Sequence, residues 1–319
     1  MRKPRRGRRL LHRVYRVTTG AWPAIGAGEL LLEYFSDEEL MGWRALAKEL
    51  QDYHYLWFFE LESQRASNQA RLVEALRSVP GRNVELAGWG RAVAYKYSHI
   101  PLSCVGSLKW VGGRFNYGAD IDDTRFAPFP ALYLAQDPET GFREMNGLVR
   151  EDKRAGLTAK ELSLCSESGV SWIAVNGSAC NVFDLTRATN LRAFASALSS
   201  FKVSRNVREA EGKLRATPLK LVGTARELHR TFMVEHWREF PAQFSTPANS
   251  QLFGNLLSHA GFEGVLFSST ITKKHNMALF PRQLENSASV IRVVDPPPTA
   301  RYCELSASSH EDAERITWN

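Results

Sequence analysis

Hydrophobic positions along the chain follow two different rhythms: a helical period between residues 29 and 79, and short β-like runs from Lys109 onward. In the first region Ser36-Asp37-Glu38-Glu39 has the form of a capping box, and the Leu40, Trp43, Leu46, Ala47 and Leu50 that follow fall on one helical face. A second helix is predicted over 56–76, with Phe59, Ala66, Ala70, Val73 and Leu76 as its apolar positions and Pro80-Gly81 as its stop. Upstream, Val14-Tyr15-Arg16-Val17 reads as a short strand. Downstream, strands are predicted at 131–135, 171–175, 182–185, 219–222, 264–267, 277–280 and 290–294, with helices at about 190–201, 224–236 and 249–260. Strands and helices that do not alternate regularly predict a mixed α+β fold, not a doubly wound parallel sheet.

This pattern divides the chain into a basic arm (1–13), a first strand (14–24), a helical insertion (25–95), a core (96–298) and a tail (299–319). Asp295-Pro296-Pro297-Pro298 closes the core, and a short helix capped by Ser308 or Ser309 is expected in the tail. The aromatic run Leu56-Trp57-Phe58-Phe59 is either a contact surface or simply core.

Composition changes this picture little: 44% hydrophobic and 24% charged residues over 319 positions are ordinary for a soluble globular protein. Charge changes it more. Of the formal +7, six positive charges come from Arg2, Lys3, Arg5, Arg6, Arg8 and Arg9, and without them 35 basic residues face 34 acidic ones. The arm alone is therefore basic, and it is either a solubilising tail or a weak contact for nucleic acid or an acidic partner. No apolar run reaches the roughly 20 residues of a membrane span. Leu10-Leu11 is followed at once by His12-Arg13, so the start does not develop into a signal peptide and a cytoplasmic site of action is expected. Cys104, Cys165, Cys180 and Cys303 have neither zinc-site spacing nor disulfide-scaffold density and read as scattered buried thiols. No metal is expected, since His-Glu-x-x-His is absent, as are a P-loop and Gly-x-Gly-x-x-Gly.

Three separated segments carry the candidate chemistry. Gly112-Gly113-Arg114-Phe115-Asn116 places a guanidinium fork beside glycines that allow close backbone approach. Ala131-Leu132-Tyr133-Leu134-Ala135 sends Tyr133 to the face opposite Leu132 and Leu134 and leads into a helix bearing Arg143 and Glu144. Those two charges are either solvated on a surface helix or part of a cleft. Gly264-Val265-Leu266-Phe267-Ser268-Ser269 ends on a pair of hydroxyls, followed by Asn276-Met277-Ala278-Leu279-Phe280.

In this order and spacing the segments resemble the RES domain, a family named for an Arg, a Glu and a Ser that here match Arg114, Glu144 and Ser269. The opening Tyr15-Arg16 strand, the 182–186 run Val-Phe-Asp-Leu-Thr and Ala260-Gly261-Phe262-Glu263-Gly264 are similar to further family segments. The resemblance implies a core akin to ADP-ribosyltransferases and a toxin that consumes NAD+, acting as glycohydrolase, phosphorylase or ADP-ribosyltransferase. It also implies an Xre-type helix-turn-helix antitoxin as partner. Carried over to this chain, it makes Glu144, Arg114 and Ser269 catalytic, and Arg114, Tyr133, Ser269, Asn276 and Arg16 the residues that bind NAD+, which is a substrate. Whether Ser268 or Ser269 supplies the hydroxyl stays open, as does a non-catalytic binding module with a nucleic-acid-binding arm.

Overall fold

The computed structural model describes residues 37–147 and 169–315. The chain divides into two compact units, 1–50 and 51–319. Arg16, the strand expected at 14–17, the basic arm, the Ser36 cap and Cys165 lie outside the described residues.

Helix α1 (Asp37–Ser67) runs for 31 residues without interruption, where the sequence pattern suggested a break between 50 and 56. Its sequence holds no proline and is rich in Leu, Glu and Ala, so nothing stops it before Asn68. There the side-chain amide donates to the Gln64 carbonyl at 2.9 Å, and α2 (Gln69–Arg77) follows. The buried face runs on across this break: His54, Phe58, Leu72 and Leu76 fall on one helical face and are buried with Val73, while Ala66 and Ala70, expected among the apolar positions, fall off that face and are exposed. Phe58 lies in the core with Trp57 and Phe59 packed against it, and Leu56 is exposed, so the aromatic run is chiefly core.

The helical part ends at Arg77, which corrects the boundary drawn at 95: β1 (Arg82–Glu85) and β2 (Trp89–Ala94) already belong to the sheet. Then follow β3 (Leu132–Ala135), α3 (Pro138–Asn146), β4 (Val170–Asp184), α4 (Arg192–Leu198), α5 (Arg205–Leu214), α6 (Ala225–Phe232), α7 (Glu239–Phe244) and α8 (Asn249–His259). The chain continues through β5 (Gly264–Ser268), β6 (His275–Leu279), β7 (Val290–Val293), β8 (Glu304–Leu305) and α9 (Asp312–Arg315). Residues 219–222, expected as a strand, form a loop. Glu211 and Arg208 on α5 satisfy the Leu219 N–H and carbonyl, removing the need for a ladder partner. The tail is not separate from the core, because β8 pairs with β7 and both Leu305 and Ala313 are fully buried. Its helix starts at Asp312 without a hydroxyl cap, since the Ser309 hydroxyl turns back to Ser306 N–H and the Glu304 carbonyl.

The architecture is a mixed α/β fold on one eight-stranded sheet. Strand order is β2-β3-β6-β5-β4-β7-β8, with β1 on β4, and β2 also pairs with β4, so β2, β3, β6, β5 and β4 close into a ring. Among the described strands only β4 and β5 run parallel. The two strands expected at 171–175 and 182–185 are one strand of 15 residues. Gly177 sits within it at φ +116°, where a Cβ would fall 1.9 Å from the Val290 carbonyl oxygen. One face of the sheet packs a phenylalanine-rich core that includes Phe115, Phe183, Phe253, Phe267 and Phe280. The other packs an aliphatic core with Leu132, Leu134, Val182, Met277 and Ile291. Tyr133 joins the first while its neighbours Leu132 and Leu134 join the second, as strand alternation requires.

Candidate functional site

Antiparallel pairing of β6 with both β3 and β5 brings the ends of β3 and β5 beside the start of β6. Asn276 is opposite Ala135 on one side and Phe267 on the other. Helix α3 leaves that edge. Asp137 caps it, accepting from the Thr140 N–H at 2.9 Å, Pro138 occupies the first turn, and Gly147 ends it at φ +64°. Lys274 pairs with Asp137 at 3.2 Å, and the hydroxyls of Thr140 and Thr272 meet at 2.8 Å, so the β5–β6 turn and the start of α3 are tied together. Burial acts against a charged Asp137, but hydrogen bonds from Thr140 and Lys274 outweigh it and hold the carboxyl below its usual range. The helix is not a solvated surface helix: Thr140, Gly141, Phe142 and Arg143 are buried, with Arg143 Nε donating to Glu139 at 3.0 Å.

About two turns beyond the cap, the half-buried Glu144 points its carboxylate at that sheet edge. Its Oε1 accepts from Ser269 Oγ at 2.6 Å and from Asn276 Nδ2 at 3.1 Å. Ser269, only 1% exposed, also accepts from the N–H groups of Ile271 and Thr272 at 3.1 Å each. Of the two adjacent hydroxyls it is thus Ser269 that reaches the carboxylate, and its bonding capacity is used up in doing so. Asn276 Oδ1 is buried and without a hydrogen-bond partner among the described residues.

The loop carrying Arg114 is built around two fully buried amides. Asn116 Oδ1 accepts from Gly113 N–H and from the Tyr133 hydroxyl, while its Nδ2 donates to the carbonyls of Ser107, Tyr117 and Phe129. Gln251 Nε2 from α8 donates to the carbonyls of Val111, Gly113 and Asn116. Gly113 has no room for a side chain, because a Cβ would lie 2.2 Å from the Tyr133 hydroxyl, and Gly112 adopts φ +85°. Tyr133 also accepts from the Phe115 N–H at 2.9 Å, so its hydroxyl serves the loop while the residue lines the cleft. Burial pushes its ionisation well above the usual tyrosine range.

Arg114 is 8% exposed and donates through Nη1 to the carbonyls of Phe232 at 3.2 Å and Val234 at 2.8 Å, at the end of α6. Burial pulls its pKa down and the nearby Glu144 carboxylate pushes it back, leaving it cationic at neutral pH. Arg114, Tyr133, Glu144 and Asn276 line one cleft of about 460 Å³, with Ser269 behind Glu144. That volume lies in the range of small-molecule sites. Sequence reasoning missed Arg91, Trp237 and Arg238 on the same cleft, because none sits in a recognisable motif. Arg91 donates to the carbonyls of Pro101 and Ser103. Among the described residues, no group of three His, Cys, Asp or Glu could hold a metal ion. Cys104 is buried, which raises its thiol to about 12, whereas Cys180 and Cys303 are half-buried and all three are free, so only one of these thiols is buried as expected. No described helix is long and apolar enough to cross a membrane.

No protein-family model matches the chain, and no curated protein matches it. Among solved structures, a chain of the M. tuberculosis MbcT–MbcA toxin–antitoxin complex is similar, at 14% identity and a TM-score of 0.38 over 77% of this chain and 97% of that one. Similarity of this size says nothing of activity or partner.

Proposed function

We propose that the chain is an NAD+-consuming enzyme that cleaves the bond between nicotinamide and ribose in the cleft of Arg114, Tyr133, Glu144 and Asn276. The observation that carries this reading is the Glu144 carboxylate, held by two donors on a cleft that also presents a buried arginine. Breaking the C–N bond sends its electron pair to nicotinamide and leaves positive charge on the ribose. A carboxylate fixed beforehand stabilises that charge as it develops, without reorganising. Arg114 supplies a planar donor fork for the phosphates. The resemblance of the Arg114, Glu144 and Ser269 segments to the RES domain supports the choice of NAD+ and, with it, action as a cytoplasmic toxin restrained by an Xre-type antitoxin.

The test is incubation of the purified protein with NAD+ while nicotinamide is followed, with and without inorganic phosphate. Nicotinamide release supports the reading. ADP-ribose as product identifies water as acceptor, ADP-ribose 1″-phosphate identifies phosphate, and a labelled polypeptide identifies a protein side chain. Absence of nicotinamide release under all these conditions contradicts it.

A further inference from the structure

Beyond the motif residues, the cationic side of the cleft contains an arrangement that the reaction above does not use. Trp237, 6% exposed in the segment between α6 and α7, has two guanidiniums on its ring. Arg114 Cζ lies 5.7 Å from the ring centroid and Arg238 Cζ lies 4.5 Å from it. Each is within cation–π reach of the indole. Arg114 is fixed there by its Nη1 bonds to Phe232 and Val234. Arg238 is exposed and lines the same cleft, and its guanidinium has no hydrogen bond or ion pair among the described residues, the backbone carbonyl alone accepting from Ala242 N–H. Glu235 and His236 also line this wall, and His236 faces Glu239 at 3.7 Å, yet no described carboxylate lies at ion-pair distance from either arginine.

Two like charges beside one aromatic ring and on one cleft repel each other, and an anion that reaches both relieves that repulsion while accepting charge-assisted hydrogen bonds. A diphosphate offers two adjacent anionic groups and can engage both forks. We propose that Trp237 and Arg238 complete, with Arg114, a wall that binds the diphosphate of the substrate, with the indole as the shared platform for the two guanidiniums. This rests on the reading of the cleft as an NAD+ site.

The test is calorimetric titration of the full chain and of the Arg238→Gln and Arg238→Lys variants with ADP-ribose, inorganic pyrophosphate and nicotinamide riboside, at low and high salt. Arg238 is exposed, so neither substitution threatens the fold. Arg238→Gln is expected to weaken ADP-ribose and pyrophosphate by about tenfold or more. Arg238→Lys falls between it and the wild type, because the charge is kept and the fork is lost. Both variants lose part of the salt dependence, and nicotinamide riboside is unaffected. Equal affinity of wild type and Arg238→Gln for the two phosphate ligands, or no binding of either ligand by the wild type, overturns the proposal. If pyrophosphate binds through Arg238 while NAD+ is not cleaved, the wall stands and the enzymatic reading falls. If NAD+ is cleaved and Arg238→Gln changes nothing, the wall falls and the enzymatic reading stands.

Discussion

The Ser269 hydroxyl donates to Glu144 Oε1 across 2.6 Å while accepting from the N–H groups of Ile271 and Thr272. A serine saturated in this way positions the carboxylate and has nothing left for a ligand. Ser269→Ala is therefore expected to lower kcat for nicotinamide release by roughly 10- to 100-fold, because a loosened carboxylate is a poorer stabiliser of developing charge. KM for NAD+ should stay nearly unchanged. A raised KM with an unaltered kcat would instead place the hydroxyl on the substrate.

Tyr133 is expected to matter for stability more than for contact with a ligand. Tyr133→Phe keeps the ring but leaves the Phe115 N–H without its acceptor and removes one donor from Asn116. A buried group left unsatisfied costs about 1–3 kcal/mol, which urea unfolding would register. Unchanged stability with a raised KM would assign the hydroxyl to the ligand.

Arg114→Lys keeps the charge and loses the planar fork, of which Nη1 alone holds the Phe232 and Val234 carbonyls. Its expected signature is a raised KM for NAD+, measured by initial rates of nicotinamide release. Kinetics indistinguishable from wild type would reduce Arg114 to a structural tie for α6.

Asp137 provides a pH prediction. Its folded pKa is below the unfolded value of about 3.9, so its contribution to stability is fully present above about pH 4 and is lost as pH falls through the folded value. Asp137→Asn retains a good helix cap and removes the charge that pairs with Lys274. Because Lys274 is largely exposed, the loss at neutral pH should be below about 1 kcal/mol. The gap between wild type and variant in denaturant unfolding should close as pH drops below 4. A gap that persists in acid would show that the charge is not its source.

How much of this could be read from the sequence depended on whether the signal was local. The helix that follows the 131–135 strand, the alternation that separates Tyr133 from Leu132 and Leu134, and the glycines before Arg114 were legible because each follows from a few adjacent residues. Local rules failed where distant groups decided the outcome. The loop at 219–222 escapes the sheet because α5 satisfies its backbone, and β4 reads as two strands because Gly177 interrupts an otherwise continuous run. The helix break falls at Asn68, not between 50 and 56, with no proline or glycine to announce it. At the site, Arg114, Glu144 and Ser269 were found by motif, yet the task of Ser269 was visible only once the β5–β6 turn had folded against α3. Gln251 and Trp237 carry no local signal, since the carbonyls that Gln251 holds and the Arg114 that meets Trp237 are more than 100 residues away in the chain.

The most direct measurement is the rate of nicotinamide release from NAD+ by the wild type and by Glu144→Gln. Glutamine keeps an oxygen able to accept from Ser269 and Asn276, so the shape of the site is preserved and only the charge is removed. The expected result is a wild type that releases nicotinamide and a folded variant slowed by roughly 100-fold or more, in line with the loss of a preorganised electrostatic group. A folded Glu144→Gln protein that turns over NAD+ at the wild-type rate, or a wild type that releases no nicotinamide, would contradict the account.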